Sequence, residues 1–361
     1  MPKSKVIWFE VLTPKQAMLF LSIGEKLKKF GIESLYTTRN HDYIHDIFSN
    51  YETEPISLGE YGGKTLEGKL IASAKRVVKL AEYIIKLEDK PIATISLSSP
   101  DASRVAFGLG IPLILFNDTT HSIPVAKLTL SLARFLITPS CINKEDFIKL
   151  GANPSTIYTY EGVDEVEYIS GEGYEKYKKL SENEDKKESY LVFRPEESFA
   201  AYMKDRDENP YMEILEEAFT HYDGKIVILP RYEKQKETIK QRFEDRALIL
   251  DKGRYFLDLL SKADAVITGG GTMAREAALL GIPSITYFWR QLEPQSFIEH
   301  KGFPSYSVQT LQDTKKIIKK ICSNPKQYKI DTSQKLKDLQ KPSDKLFHIM
   351  KKDDKFKQYF N

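Results

Sequence analysis

The chain has 361 residues, comfortable for two domains and long for one. Hydrophobic residues make up 41%, enough to fill real cores, and a formal net charge of +3 is too small for this length to mark a nucleic-acid binder. The two cysteines, Cys141 and Cys322, lie far apart without metal or redox spacing, which sets aside a disulfide framework and a zinc site and fits a reducing, cytoplasmic setting.

No apolar run approaches the length of a membrane span. The run at 6–9 follows Lys3 and Lys5 and stops at Glu10, too short for a secretory signal. Residues 6–12 read instead as a strand. Helical spacing covers 15–30 and ends at Gly31, a stop residue. A second strand is expected over 33–38. A long helix is expected over 66–87, with Leu66, Leu70, Val77, Leu80, Ile84 and Leu87 near one face. Strands at 92–97, 112–116 and 135–138 follow, with a helix over 101–109. Strands separated by helices at these intervals imply a parallel sheet covered on both faces.

The pattern breaks over 170–189, a polar and charged stretch that reads as a linker, part of it a surface helix. It then restarts, with strands at 190–193, 225–229, 247–250, 265–268 and 284–287. Helices at 211–219, 234–243, 256–261 and 273–280 lie between them. The expected fold class is α/β: two Rossmann-like domains facing across a cleft, 1–165 and 189–340, joined by a linker at 166–188. Residues 341–361 form a basic helix that packs back on the first domain. From Lys315 to Lys357 there are fourteen Lys against five Asp. The bland reading is a solvated helix face; the sharper one is a patch facing an anionic membrane or an acidic acceptor. Leu346, Phe347, Ile349, Met350, Phe356 and Phe360 give this end an apolar side.

The most informative segment runs from Ala265 to Ser284. An apolar strand enters Gly269, Gly270 and Gly271 and passes directly into an Ala-rich helix. Glycines let the chain turn sharply and bring its amides close to a ligand. The helix start offers donors and partial positive charge, which together favour phosphate. Thr272 is placed to cap the helix and to offer a hydroxyl. Glu276 stands one turn further on, where a carboxylate accepts two hydrogen bonds from a ribose diol. The alternative is a tight strand–helix corner with no ligand. The glycines are contiguous and no Gly-Lys-Ser/Thr follows, so this is neither the dinucleotide fingerprint nor a Walker loop.

Strand, Gly-Gly-Gly, a helix with Glu276-Ala277, then Leu280-Gly281-Ile282-Pro283 resembles the donor-binding segment of GT-B nucleotide-sugar enzymes. These include the MurG-type N-acetylglucosaminyltransferases and the non-hydrolysing UDP-GlcNAc 2-epimerases. The resemblance implies a nucleotide diphosphate at Gly269–Thr272 and a ribose on Glu276. It extends to the segment from Phe288 through Gln295 to Phe297, a sugar-contacting loop in that family. Nearly the whole chain is similar to an uncharacterised archaeal family of this build, including Leu12-Thr-Pro, Ser99-Pro-Asp-Ala and Phe193-Arg-Pro-Glu. Two departures count against epimerase chemistry. Asp118 lacks the glycine-bearing context of the epimerase acid, and Leu97–Asp101 holds no counterpart of their His-Gly-Asp.

In the first half, Asp118 and His121 follow an apolar strand at the carboxyl end of the sheet, where α/β proteins place ligand sites. Either is a candidate base towards an acceptor hydroxyl; the alternative is that Asn117 and Asp118 make a turn and cap the next helix. Gly62, Gly63 and Lys64 form a second glycine-rich loop, read as an acceptor-side loop or as plain flexible chain. Thr13-Pro14-Lys15-Gln16 occupies the place of the glycine-rich first loop of such transferases. Arg194 and Arg231 close two strands of the second half, and a guanidinium fork suits phosphate oxygens; the alternative is a salt bridge to Glu196, Glu197 or Glu233. Asp251 and Arg254, closing a third, read as turn chemistry. No Asp-x-Asp or His cluster suggests a metal.

The expected function is therefore a metal-independent, cytoplasmic GT-B glycosyltransferase with no cofactor. Its substrate is a nucleotide-diphosphate sugar, UDP-linked by resemblance, and its acceptor is open. Epimerisation or hydrolysis on the same fold, and a non-catalytic nucleotide-sugar-binding protein, are the alternatives. Neither a nucleic-acid partner nor an oligomeric state is implied, and membrane association would be peripheral.

Overall fold

The computed structural model describes residues 5–40, 44–182, 189–197, 210–243, 246–250 and 257–360. The chain divides into two compact units, Met1–Tyr168 with Gln340–Asn361 and Ile169–Leu339. The first holds seven parallel strands: β1 (Val6–Glu10), β2 (Glu33–Asn40), β3 (Ile56–Glu60), β4 (Ala93–Ser96), β5 (Leu113–Phe116), β6 (Phe135–Pro139) and β7 (Ile157–Tyr160). Their order is β3-β2-β1-β4-β5-β6-β7. The second holds β8 (Tyr190–Arg194), β9 (Lys225–Ile228), β10 (Ala247–Ile249), β11 (Ala265–Thr268), β12 (Ser284–Thr286) and β13 (Ser305–Ser307). These are also all parallel, in the order β10-β9-β8-β11-β12-β13.

Central strands β4, β5, β6, β11 and β12 are buried at every residue, as parallel strands covered on both faces must be. Alternation along β1 feeds two cores. Trp8 joins Leu80, Ile84, Val105 and Leu115 on one face. Phe9 stacks on Tyr36 at 5.3 Å and packs against Phe20 on the other. Local signals set the helix starts. Thr13 precedes Pro14 at the head of helix Pro14–Lys28, and its side chain accepts from the Gln16 amide. Thr65 Oγ1 accepts from Gly68 N at 3.0 Å above helix Leu66–Ile85.

The chain returns to the first unit at Gln340, whose amide donates to Glu161 O at 2.7 Å. Helix Pro342–Lys352 then buries Leu346 and Met350, and beyond it Phe356 is buried too. Phe360 stands 5.0 Å from Phe30, and Arg134 pairs with Asp353 at 2.6 Å. Each such apolar side chain contributes about 1.5–3 kcal/mol when buried. Lys351, Lys352, Lys355 and Lys357 face solvent.

Part of the stretch read as a linker is helix Glu172–Glu182 of the second unit, with Tyr174 and Tyr177 buried. Residues 183–188 lie outside the described residues, as do Asp251 and Arg254. No described helix is long and apolar enough to cross a membrane.

Candidate functional site

Both sheets reverse direction beside their first strand, between β1 and β4 and between β8 and β11. At such switch points the strand ends open a crevice where α/β proteins hold ligands. The sequence-predicted residues divide between the two units.

In the second unit, β11 ends at Thr268 and helix Gly271–Leu279 begins three residues later. Gly269 N donates to Arg194 O at 3.0 Å, tying the loop to the end of β8. A β-carbon on Gly269 would stand 2.4 Å from Glu196 Cβ and 2.5 Å from its Cα, so only glycine lets the two strand ends meet. Gly270 is the residue before the helix and has no side-chain cap; its amide donates to Thr268 Oγ1 at 3.2 Å. The capping role expected of Thr272 is corrected: the helix starts one residue ahead of it, which places Thr272 in the first turn. The amides of Gly271, Thr272 and Met273 have no carbonyl a turn earlier to bond, and the helix dipole adds positive charge there.

Two guanidinium groups stand beside this mouth. Arg231 Nη2 lies 3.2 Å from where a Gly270 β-carbon would be, and Arg275 Nη1 lies 2.8 Å from the equivalent point on Gly271. Arg231 is aimed from behind: its Nε donates to Pro195 O at 2.9 Å, and its amide donates to Gln235 Oε1 at 3.0 Å. Its contact with Glu197 is long, 3.8 Å. Arg194 pairs with Thr268 in the sheet register, half-buried at the end of β8. Glu196 is buried and accepts from Tyr287 Oη at 2.8 Å. Burial pushes its carboxyl up from the ordinary value, with Tyr287 and Arg231 pulling the other way. Thr272 and Glu276 are half-buried, one turn apart on the same helix. Gln295 is fully buried and donates through its amide nitrogen to Ser305 Oγ.

In the first unit, Asp118 meets a residue that sequence reasoning gave no role. Lys15 Nζ lies 2.5 Å from Asp118 Oδ2, 2.8 Å from Asp164 Oδ2 and 3.5 Å from Glu165 Oε1. These groups hang from the carboxyl ends of β1, β5 and β7 and are almost wholly buried, Asp118 the least so. Tyr160 Oη donates to the other oxygen of Asp164 at 2.5 Å. Burial pushes the Asp164 carboxyl up; Lys15 pulls it back, and Asp118 and Glu165 push it up again. His121 is held by Thr119, whose Oγ1 lies 2.5 Å from Nδ1. Asn117 Oδ1 accepts from Thr119 N at 2.8 Å and its Nδ2 donates to Ser98 Oγ at 2.9 Å, so it makes the turn without capping the next helix.

A second buried network lies deeper. Arg76 forms two bonds to the Glu10 carboxylate, one of them 3.1 Å long, and its Nε donates to Leu58 O at 2.8 Å. Thr37 Oγ1 donates to Glu10 at 2.6 Å and accepts from Trp8 Nε1 at 2.6 Å. The glycine-rich loop beside it packs on its own helix: a β-carbon on Gly62 would stand 2.7 Å from both Gly68 O and Lys69 Cα. Gly63 adopts φ 73° at the turn, and Lys64 is exposed.

Two doubly wound parallel sheets of this order are the two α/β domains of the GT-B fold. The UDP-GlcNAc 2-epimerase of Neisseria meningitidis, solved bound to UDP-GlcNAc, superposes with a TM-score of 0.71 at 15% identity, covering 97% of this chain and 100% of that one. The Methanocaldococcus jannaschii UDP-GlcNAc 2-epimerase, solved with UDP-GlcNAc and UDP, gives 0.67 at 16% identity, covering 95% and 99%. The chain belongs to the family described as "Protein of unknown function (DUF354)", which matches residues 5–352. A relative in that organism, "Uncharacterized protein MJ0665", is 32% identical over 293 residues, 79% of this chain and 82% of its own length.

Proposed function

We propose that the second unit binds a nucleotide-diphosphate sugar, uridine-linked, and that the protein transfers the sugar to an acceptor. The observation that carries this reading is the placement of Arg231 over Gly270, at the mouth of helix Gly271–Leu279. Helix-end amides and a guanidinium fork on one loop are the donors that a diphosphate needs. Arg275 adds a second cation at the same turn. When the sugar leaves, negative charge grows on the terminal phosphate, and preorganised cations and amides there lower the barrier. Glu276 is the ribose ligand in this reading. Asp118 is the candidate base, with Lys15 stabilising its charged form and His121 beside it on the same loop. Structures solved with UDP-GlcNAc share the fold, which supports the choice of donor class.

Calorimetric titration with UDP, GDP and CMP tests the binding step, and labelled UDP-GlcNAc tests the reaction. Heat with UDP that is lost in Arg231→Ala, followed by release of UDP only when an acceptor extract is present, is the expected outcome. Release without acceptor reassigns the protein as a hydrolase, and a C2-inverted nucleotide-sugar reassigns it as an epimerase. No heat with any nucleotide overturns the proposal.

A further inference from the structure

Two arginines of the first unit lie close together and are used differently. Arg76 is engaged on every side, by the Glu10 carboxylate, by Leu58 O and, at 3.5 Å, by Asp101. Arg39 is the last residue but one of β2, and strand alternation sets it on the sheet face that carries Thr37 and Glu10. Its guanidinium forms no hydrogen bond and no ion pair among the described residues, and its Nε is shut off from water without a partner. It lies over the ring of Tyr61, 5.1 Å from the centroid.

The acids nearby are already held by other groups. Glu10 takes Arg76 and Thr37. Asp101 accepts from Ser73 Oγ at 2.5 Å, and Glu60, on the neighbouring strand, accepts from Asn40 Nδ2 at 2.6 Å. The ladder is also broken opposite Arg39. Thr38 pairs with Ser57 and Asn40 with Glu60, so β3 carries one extra residue there, with Gly59 at φ 86°. Such bulges end pairing and re-aim side chains beside ligand sites. Burial and the Arg76 charge push the Arg39 guanidinium down from its ordinary value, and Tyr61, Glu10 and Asp101 draw it back. A half-buried cation with no anion on its fork is costly, and folded chains rarely keep one without a use.

We propose that Arg39 anchors an anion site of the first unit and that its ligand is a small molecule bearing a carboxylate, such as a sugar acid. Charge decides between carboxylate and phosphate. The two guanidinium groups are matched in number by Glu10 and Asp101. A carboxylate brings one further negative charge and two oxygens at the spacing of the fork. A phosphate dianion would bring two negative charges beside two carboxylates. Tyr61 is 44% exposed, and its ring offers an apolar surface next to the cation for the body of the ligand. The site stands on its own; calling its ligand the acceptor rests on the sugar transfer proposed above.

The Nε–H resonance of Arg39 in the isotope-labelled full chain tests it, identified by its loss in Arg39→Gln. Sodium glucuronate is expected to shift this signal saturably, while glucose and sodium chloride at equal concentration leave it in place. Inorganic phosphate is expected to bind at least about tenfold more weakly than glucuronate. Arg39→Lys keeps the charge without the fork and is expected to lose at least about tenfold in glucuronate affinity, followed through the Tyr61 amide. Arg39→Gln is expected to melt no lower than wild type, because a residue kept for binding adds little to the fold. Its heat with UDP is expected to match that of the wild type. No saturable shift with glucuronate overturns the site, and phosphate binding as tightly overturns the ligand class. A lower melting point for Arg39→Gln would make Arg39 a structural residue and overturn the inference. Glucuronate binding by a chain that gives no heat with UDP would uphold this site and remove the nucleotide reading alone.

Discussion

Arg231 Nη2 lies 3.2 Å from the point where a β-carbon on Gly270 would stand, while Gly269, one residue earlier, has no room for a β-carbon at all because Glu196 backs it. Two adjacent glycines thus meet different neighbours. One closes a corner between strand ends, and the other keeps space open beneath a cation. A strand–helix corner needs the first glycine and has no use for the second.

Alanine therefore separates the two roles. Gly270 is extended, with φ −144°, so Gly270→Ala adds no backbone strain and its methyl displaces only the tip of Arg231. We expect a thermal midpoint close to wild type and a UDP affinity lowered about tenfold, near 1.4 kcal/mol, by calorimetry. Gly269→Ala must move the Glu196 backbone and is expected to lose about 1–3 kcal/mol of stability in urea titration. Equal loss of binding and stability in both variants would leave a corner without a ligand.

Arg231→Ala is expected to cost UDP about 1.5–3 kcal/mol, the value of hydrogen bonds to a charged group. Arg231→Lys keeps the charge but loses the planar fork that Pro195 O holds in place, and should recover only part of the affinity. Full recovery by lysine would mean that charge alone is read.

Glu10 and Arg76 are both buried, with Thr37 and the Leu58 carbonyl completing the network. Arg76→Ala leaves the carboxylate buried without its cation and is expected to destabilise the first unit by about 3–5 kcal/mol. Arg76→Met with Glu10→Leu removes both charges and is expected to recover most of that loss. Urea midpoints of the three proteins check it, and a double variant no better than the single would place the loss in packing.

Much of this architecture is written in short-range pattern. β11 occupies the expected residues 265–268, because an unbroken apolar run ending in glycine has few other readings. β13 is Ser305–Ser307, three residues without an apolar run, and only its pairing with β12 makes it a strand. Leu66 and Leu70 fit the inward stripe of their helix by spacing, yet they are exposed because the helix outruns its neighbours, which no local pattern reports. At the site, Gly269–Gly271 and Arg231 were legible as a motif and a strand end. Arg275 was not, though an arginine on an otherwise alanine-rich buried face is a signal. Lys15 carried a clearer one: a lysine in the first turn of a helix opposes the macrodipole and calls for carboxylates to hold it. Those carboxylates, Asp118, Asp164 and Glu165, come from strand ends more than a hundred residues away, and sequence order hides them.

That single ammonium serves three acids, which fixes the sign of its pH dependence. Asp164 already holds its proton more tightly in the folded chain than an ordinary aspartate does, through burial and its acidic neighbours. An acid whose folded value is raised lets the folded state bind more protons, so stability falls as pH climbs from the ordinary aspartate range through the folded value. Lys15→Met removes the opposing charge, raises the folded value of Asp164 further and widens that window. The variant is therefore expected to lose about 3–5 kcal/mol near neutrality and distinctly less at about pH 5, where the folded cluster takes up a proton. Asp164→Asn in the Lys15→Met background keeps an acceptor for Tyr160 and deletes one acid, and should flatten the profile. Urea melts at about pH 5 and about pH 8 measure the difference. A loss equal at both would show that Lys15 acts through packing and that its charge is not what holds the three strand ends together.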